Sequence, residues 1–244
     1  MKKIAVIPAR YAAVRFPYKL MQKLANKTVI RHTYDNTVAT GLFDDVFVVT
    51  DSEIILNEIV SHGGKALMSK RHHESGSDRI AEAVENIDTD IILNVQGDEP
   101  FVNRNALKTL LDTFCDNCVQ VASIMKPFTD MDLVQNPNYV KVVVDKNNFS
   151  LLFSRSVIPY VRENTYMPIY YEHIGVYAFR KNTLLQFTKW EMTPLEISEK
   201  IECLRYLENG IPLKMVLTDF SGVKIDVPDD LNKAEAYLNA LKNN

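Results

Sequence analysis

The sequence predicts an α/β fold with a mostly parallel central sheet, helices on both of its faces and a small antiparallel lobe. Three observations lead there. Short Val- and Ile-rich runs recur between stretches of helix length, which is the βαβ rhythm of a parallel sheet. Those runs are apolar throughout rather than alternating, as strands covered on both faces must be. After about residue 130 the rhythm gives way to closely spaced strands joined by a hairpin turn. At 244 residues the chain is long enough for one domain of this kind, with the lobe inserted at about 130–192.

The elements follow in order. Ile4–Ala9 is the first strand; Thr28 caps a helix that stops at Gly41, and Val46–Thr50 is the next strand. Ser52 caps a second helix, ended by Gly63-Gly64, ahead of a short strand at Ala66–Met68. A helix at Ile80–Glu85 leads to the strand Ile91–Val95, and a helix opening at Asn103 runs to Asp116 before Val119–Met125. Tyr139–Asp145 and Ser150–Ser154 flank Lys146-Asn147-Asn148-Phe149 as a hairpin, and Glu172–Arg180 is a further strand. Tyr171, His173, Gly175, Tyr177 and Phe179 share one face of it, polar and aromatic as a pocket wall or a dimer surface would be. Thr193, Pro194 and Glu196 open a helix with a capping box that stops at Asn209-Gly210, and the last helix spans Pro228 to Leu241.

Composition narrows the function. Lys plus Arg is 28 and Asp plus Glu 31, a formal charge of −3, too weak a field for general nucleic-acid binding, so an anionic substrate must be held locally. No apolar run approaches the roughly 18 residues of a membrane span, and Pro8 and Arg10 come too early for a signal peptide, which points to the cytoplasm. Of the three cysteines, Cys115 and Cys118 lack a second pair or a nearby histidine and read as thiols at a helix-to-strand junction. Only eight glycines are present, about half the usual ~7%, so each marks a place where the backbone is constrained.

Three segments carry groups suited to chemistry. Directly after the first strand, Arg10, Arg15 and Lys19 lie within ten residues in a loop without glycine; such a loop surrounds a polyphosphate, or is simply solvated. At the end of the Ile91–Val95 strand, Gln96-Gly97-Asp98-Glu99-Pro100 sets Asp98 where a carboxylate can hold Mg²⁺ against phosphate oxygens, and where a plain turn is the other reading. Asp226 has a similar setting, although on pattern alone it reads as a helix N-cap. His72-His73-Glu74-Ser75-Gly76-Ser77-Asp78-Arg79 opens a helix, either as a cap or as a contact to a base or phosphate.

Together these motifs resemble one family. Ile7-Pro8-Ala9-Arg10-Tyr11 with Arg15, Pro17 and Lys19 comes first, followed by His73-x-Ser75-Gly76-x-x-Arg79 and Asn94-Val95-Gln96-Gly97-Asp98-Glu99-Pro100. Phe153-Ser154-Arg155, His173-Ile174-Gly175-Val176-Tyr177 and Asp226-Val227-Pro228-Asp229-Asp230-Leu231 complete the set, which is similar to the CMP-Kdo synthetases (3-deoxy-manno-octulosonate cytidylyltransferases) from about Ile4 to Leu238. The resemblance implies a Rossmann-like, three-layer nucleotidyltransferase fold, a homodimer, and the reaction of CTP with Kdo to give CMP-Kdo and diphosphate for lipopolysaccharide assembly. It implies a nucleotide site of Pro8, Ala9, Arg10, Arg15, Lys19, Ser75, Gly76 and Asp98, with Arg10, Lys19 and Asp98 catalytic. It further implies Mg²⁺ on Asp98 and Asp226, and a sugar side formed by Gln96, Arg155, His173, Tyr177 and Glu202. One position departs: Tyr18 stands where the family commonly has glycine. Sister enzymes for 8-amino-8-deoxy-Kdo or a sialic acid, and a catalytically silent nucleotide-binding module, are the rival expectations.

Overall fold

Ile4, Ala5, Val6 and Ile7 are completely buried, because the strand they form, β1 (Lys3–Ala9), has a parallel neighbour on each side and helices packed on its faces. The computed structural model describes residues 1–12, 16–71, 73, 75–163, 165–220 and 222–242. They fall into two units, residues 1–104 with 221–244, and residues 105–220.

In the first unit β1 is followed by a short antiparallel pair, β2 (Lys23–Leu24) and β3 (Lys27–Thr28), and by helix α1 (Val29–Ala39). Next come β4 (Asp45–Thr50), α2 (Glu53–Val60), β5 (Ala66–Met68), α3 (Gly76–Val84) and β6 (Ile91–Asn94); the chain-terminal helix α9 (Asp229–Lys242) completes the unit. The strands lie in the order β6-β1-β4-β5, all parallel. Because they are parallel, the loops after β1, β4 and β6 leave from the same edge of the sheet, the edge at which this class of fold places ligands. Thr28 caps α1 as expected, its hydroxyl accepting from the Arg31 N–H at 3.3 Å.

The second unit takes in α4 (Arg104–Asp112) from its second residue and continues through β7 (Val121–Pro127), α5 (Met131–Gln135), β8 (Lys141–Val144), β9 (Ser150–Ser154) and β10 (Tyr171–Arg180). It ends with α6 (Lys181–Phe187), α7 (Pro194–Glu199), α8 (Leu204–Glu208) and β11 (Lys214–Leu217). β7 runs parallel to β11 and antiparallel to β10, and β8 pairs antiparallel with both β10 and β9. The expected α/β class with an antiparallel part is therefore the observed one. Exposed Cys115 and Cys118 lie between α4 and β7, at the junction the sequence indicated.

Two expectations are corrected. The helix read from Thr193 to Asn209 is two helices, because Lys200 takes the left-handed conformation (φ 55°) and ends α7. The break lets Arg205 reach back to Glu196, with Nε and Nη2 donating to its carboxylate at 2.7 and 2.6 Å while the guanidinium lies 4.2 Å over the Phe187 ring. The second concerns the polar and aromatic face of β10, which is only partly covered: His173 and Phe179 are buried, whereas Tyr171, Gly175 and Tyr177 stay half-buried. His173 lies against Phe153 and Tyr177, Tyr177 stacks on Phe179, and Phe179 and Phe187 both stack on Tyr206. A register shift between Ile174 and Tyr177 interrupts the strict alternation assumed from sequence. β11 was not anticipated.

Arg205→Ala leaves the Glu196 carboxylate buried without its guanidinium, and should cost about 3–5 kcal/mol of stability. Urea unfolding checks this, and a loss below about 1 kcal/mol would show that the pair does not hold α7 to α8.

Candidate active site

Lys19 stands between two carboxylates. Its Nζ donates to Asp98 Oδ2 at 2.5 Å and to Asp226 Oδ1 at 3.1 Å, and all three side chains are largely buried. Each has a local reason to be there. Asp98 follows β6 past Gly97, where an added Cβ would sit 3.2 Å from the Pro8 carbonyl oxygen and 3.3 Å from Ile30, so any larger residue would press this turn away from β1 by a few tenths of an ångström. Thr33 Oγ1 donates to the Gly97 carbonyl at 2.9 Å and fixes the turn from α1. Asp226 is brought in because the Ile225 N–H donates to the Asp98 carbonyl at 3.0 Å.

The cap reading of Asp226 is overturned by its neighbour. Asp230 Oδ2 accepts the N–H groups of Asp226 and Val227, both at 3.1 Å, so Asp230 closes the turn ahead of α9 and the Asp226 carboxylate is directed to Lys19. Lys224 adds a second ammonium at 3.4 Å from Asp226. Burial, reinforced by the charge of Asp98 and opposed by Lys224, pushes the Glu99 carboxyl up to about 7. Glu99 and Lys224 belong to the cluster and were not singled out from sequence; their only signal was adjacency to the two aspartates. Hard oxygen donors with room for phosphate and water ligands suit Mg²⁺, and Asp98 and Asp226 supply two converging carboxylates. Among the described residues no third His, Cys, Asp or Glu joins them in a metal-binding group.

The loop after β1 is pinned at both backbone and side chain. Arg79 is fully buried; Nη1 donates to the Ala9 carbonyl at 3.0 Å and Nη2 to Asp51 Oδ2, just past β4, at 2.6 Å. Asp51 also accepts from the Tyr11 N–H; burial works against its ionisation, but these donors outweigh it and hold its carboxyl below the usual carboxylate range. Arg10 Nη2 donates to the His73 carbonyl at 2.6 Å, and His73 Nε2 lies 3.0 Å from Glu82. Ser75 caps α3, its hydroxyl accepting the Asp78 N–H at 3.1 Å and donating to the Asp78 carboxylate at 2.9 Å. Gly76 faces Pro8, with Pro8 Cγ 3.5 Å from where a Cβ would be. Pro8, Ala9, Arg10, Lys19, Ser75, Gly76, Asp98 and Asp226 thus all lie in the first unit, at or just beyond the carboxyl ends of its parallel strands, at the start of α3 or on the segment leading into α9. Arg15, and His72 and Glu74 of the third motif, lie outside the described residues. Tyr18 adopts φ 56°, ψ 27°, the left-handed conformation that glycine adopts freely and that costs another residue about 1–2 kcal/mol.

The residues expected on the sugar side lie apart in sequence and setting. Gln96 follows β6, its Nε2 3.4 Å from Asn94 Oδ1. In the second unit Arg155 donates from Nε to the Glu199 carbonyl at 2.7 Å and from Nη1 to the Pro137 carbonyl at 2.8 Å. Tyr177 hydrogen-bonds Cys203, whose thiol burial holds well above its ordinary range, and Glu202 adjoins both. His173 is buried with Nε2 3.0 Å from Ser123 Oγ, and burial lowers its pKa to about 3.

A parallel sheet that gathers an ammonium and two carboxylates beside an arginine-anchored strand-end loop is the framework of a nucleotidyltransferase. The cytidylyltransferase family profile matches residues 4–219, and the chain belongs to that family. The 3-deoxy-manno-octulosonate cytidylyltransferase of Flavobacterium johnsoniae is 58% identical over 241 residues, 98% of this chain and 99% of the relative. That of Christiangramia forsetii is 53% identical over 238 residues, 96% of each. A solved CMP:2-keto-3-deoxy-manno-octonic acid synthetase complexed with CTP matches with a TM-score of 0.94 at 32% identity, covering 99% of this chain and 100% of that one. The 4-diphosphocytidyl-2C-methyl-D-erythritol synthase of Anaerococcus prevotii shares the fold, with a TM-score of 0.65 at 16% identity over 98% and 96% of the two chains.

His173 generates a pH prediction. Its folded pKa, about 3, lies below the ordinary 6.5, so the unfolded chain takes up the proton first, and stability that is complete above pH 6.5 is lost as pH falls from there towards 3. Between about pH 7 and about pH 5 the wild type should lose about 2 kcal/mol more than His173→Gln in urea unfolding. Equal losses would show that His173 is not held neutral.

Proposed function

We propose that this chain transfers the cytidylyl group of CTP to Kdo, giving CMP-Kdo and diphosphate for lipopolysaccharide assembly. The observation that carries the reading is Lys19 held between Asp98 and Asp226, in a chain similar over almost its whole length to 3-deoxy-manno-octulosonate cytidylyltransferases.

In the reaction the anomeric hydroxyl of the sugar attacks the α-phosphorus of CTP; the new O–P bond forms as the bond to the bridging oxygen breaks, its electron pair leaving with diphosphate and the hydroxyl proton passing to solvent. No enzyme nucleophile is required, so this chain's residues act by position and charge. Arg10 and Lys19 take the charge that grows on the leaving phosphates, and the Ser75–Gly76 start of α3, beside Pro8, receives the nucleoside end. Asp98 and Asp226 would hold Mg²⁺, which when bound neutralises phosphate charge and eases ionisation of the attacking hydroxyl. In this reading the second unit's Arg155, His173, Tyr177 and Glu202 serve the sugar, Arg155 pairing with the Kdo carboxylate.

A homodimer is supported by large apolar side chains left exposed in the second unit, Leu151, Tyr160, Met167 and Ile169 among them. Among the described residues no helix is long and apolar enough to cross a membrane, which agrees with a cytoplasmic site of action.

Diphosphate release from CTP and Mg²⁺, measured in parallel with Kdo, 8-amino-8-deoxy-Kdo and a sialic acid, tests the assignment. Kdo should give a kcat/KM above the others by roughly tenfold or more. A higher value with another sugar would reassign the acceptor, and CTP binding without release from any of them would make the chain a silent nucleotide-binding module.

A further inference from the structure

The left-handed backbone at Tyr18 has a partner. A non-glycine residue keeps such a conformation only where its surroundings over-determine it, and Tyr18 is 49% exposed, so burial does not hold it. Its ring instead lies 4.5 Å, centroid to centroid, from that of Tyr11, with the planes inclined at 43°. Tyr11 is a fixed support. Its N–H is held by Asp51, Asp51 by the buried Arg79, and Arg79 also holds the Ala9 carbonyl. On the other side, the Tyr18 carbonyl accepts the Met21 N–H at 2.9 Å, and the next residue is the Lys19 that bridges Asp98 and Asp226.

We propose that the Tyr11–Tyr18 contact is a clasp that holds Tyr18 in its left-handed conformation and so sets the turn that presents Arg10 and Lys19 together to the phosphates of CTP. Glycine enters the left-handed region without cost and leaves it as easily. A tyrosine enters at a cost and is retained there by its partner ring. The two rings are positioning residues; their contribution is to the population of the binding-competent loop, so it is read in KM for CTP and not in kcat. A ring pair of this kind is worth a factor of roughly two to ten in an equilibrium. The inference rests on the cytidylyl-transfer reading for its ligand, but the clasp is measurable without nucleotide.

The experiment compares the full-length wild type with Tyr18→Gly, Tyr11→Leu, the double variant and Tyr18→Phe. Amide exchange in residues 9–12 and 16–19 is followed without nucleotide, and steady-state kinetics with CTP. Tyr18→Gly and Tyr11→Leu should each speed exchange in the loop and raise KM for CTP by roughly two- to tenfold at a nearly constant kcat. The double variant should be no worse than either single one, and Tyr18→Phe should restore wild-type values. The melting temperature of Tyr18→Gly should hold or rise as backbone strain is relieved, which separates loss of the clasp from loss of folding. Tyr18→Gly with wild-type exchange and wild-type KM, or single effects that multiply in the double variant, would overturn the proposal. Faster loop exchange in variants of a chain that never turns over CTP would support the clasp and overturn the transfer reading instead.

Discussion

One ammonium between two carboxylates joins three distant stretches of chain: Lys19 reaches Asp98, 79 residues on, and Asp226, 207 residues on. At an effective dielectric of about 20, a contact of this length gives about 5 kcal/mol of gross attraction, most of which offsets the cost of removing the charges from water. Its consequence is therefore geometric more than energetic. The loop after β1, the turn after β6 and the segment ahead of α9 are registered against each other at one charged point, and the cluster's near-balance of charge depends on each of them. Removing the lysine would leave two aspartates facing each other across the same space, with Glu99 adjoining.

The loop that carries Arg10 is held by a different means. Arg79, buried in α3, spans the ends of β1 and β4 through Ala9 and Asp51, and Asp51 passes the constraint to the Tyr11 backbone. A glycine-rich phosphate loop approaches its ligand through bare backbone; this one has no glycine and relies on cationic side chains whose anchors are themselves buried. That difference explains why the pins around it, Arg79 with Asp51 and His73 with Glu82, are ion pairs or charge-assisted contacts.

Most of the first unit was legible because its signals are local. Apolar runs bounded by Thr28 and Ser52 gave β1, β4, β5 and β6 and the starts of α1 and α2 to within a few residues, although Ser52 makes no side-chain cap bond and α3 opens at Gly76, ahead of the expected Ile80. What could not be read depends on contacts between distant residues. Asp226 looked like a cap because the carboxylate that does close the turn, Asp230, is only four residues away and equally suited by type. Lys200 carries no sequence mark of a left-handed break, which is stabilised by the Glu196–Arg205 pair across it. His173 and Tyr177 alternate as a surface strand would, yet Phe153 of β9 lies against His173, and Phe179, which stacks on Tyr177, stacks in turn on Tyr206 of α8. The role of Gly97 was legible, since a glycine before a strand-end carboxylate has few other reasons to be there, whereas Glu99 and Lys224 became visible only once the charges around them were placed.

The central claim is that Asp98 and Asp226, brought together by Lys19, are two ligands of one metal site and not separate turn residues. Titration of Mn²⁺ into the protein–CTP complex, followed by electron paramagnetic resonance, tests it on the wild type, Asp98→Asn and Asp226→Asn. Each substitution should weaken the protein-bound Mn²⁺ by roughly tenfold or more while leaving the melting temperature within a few degrees. Asp226→Asn binding Mn²⁺ as tightly as the wild type would contradict the claim.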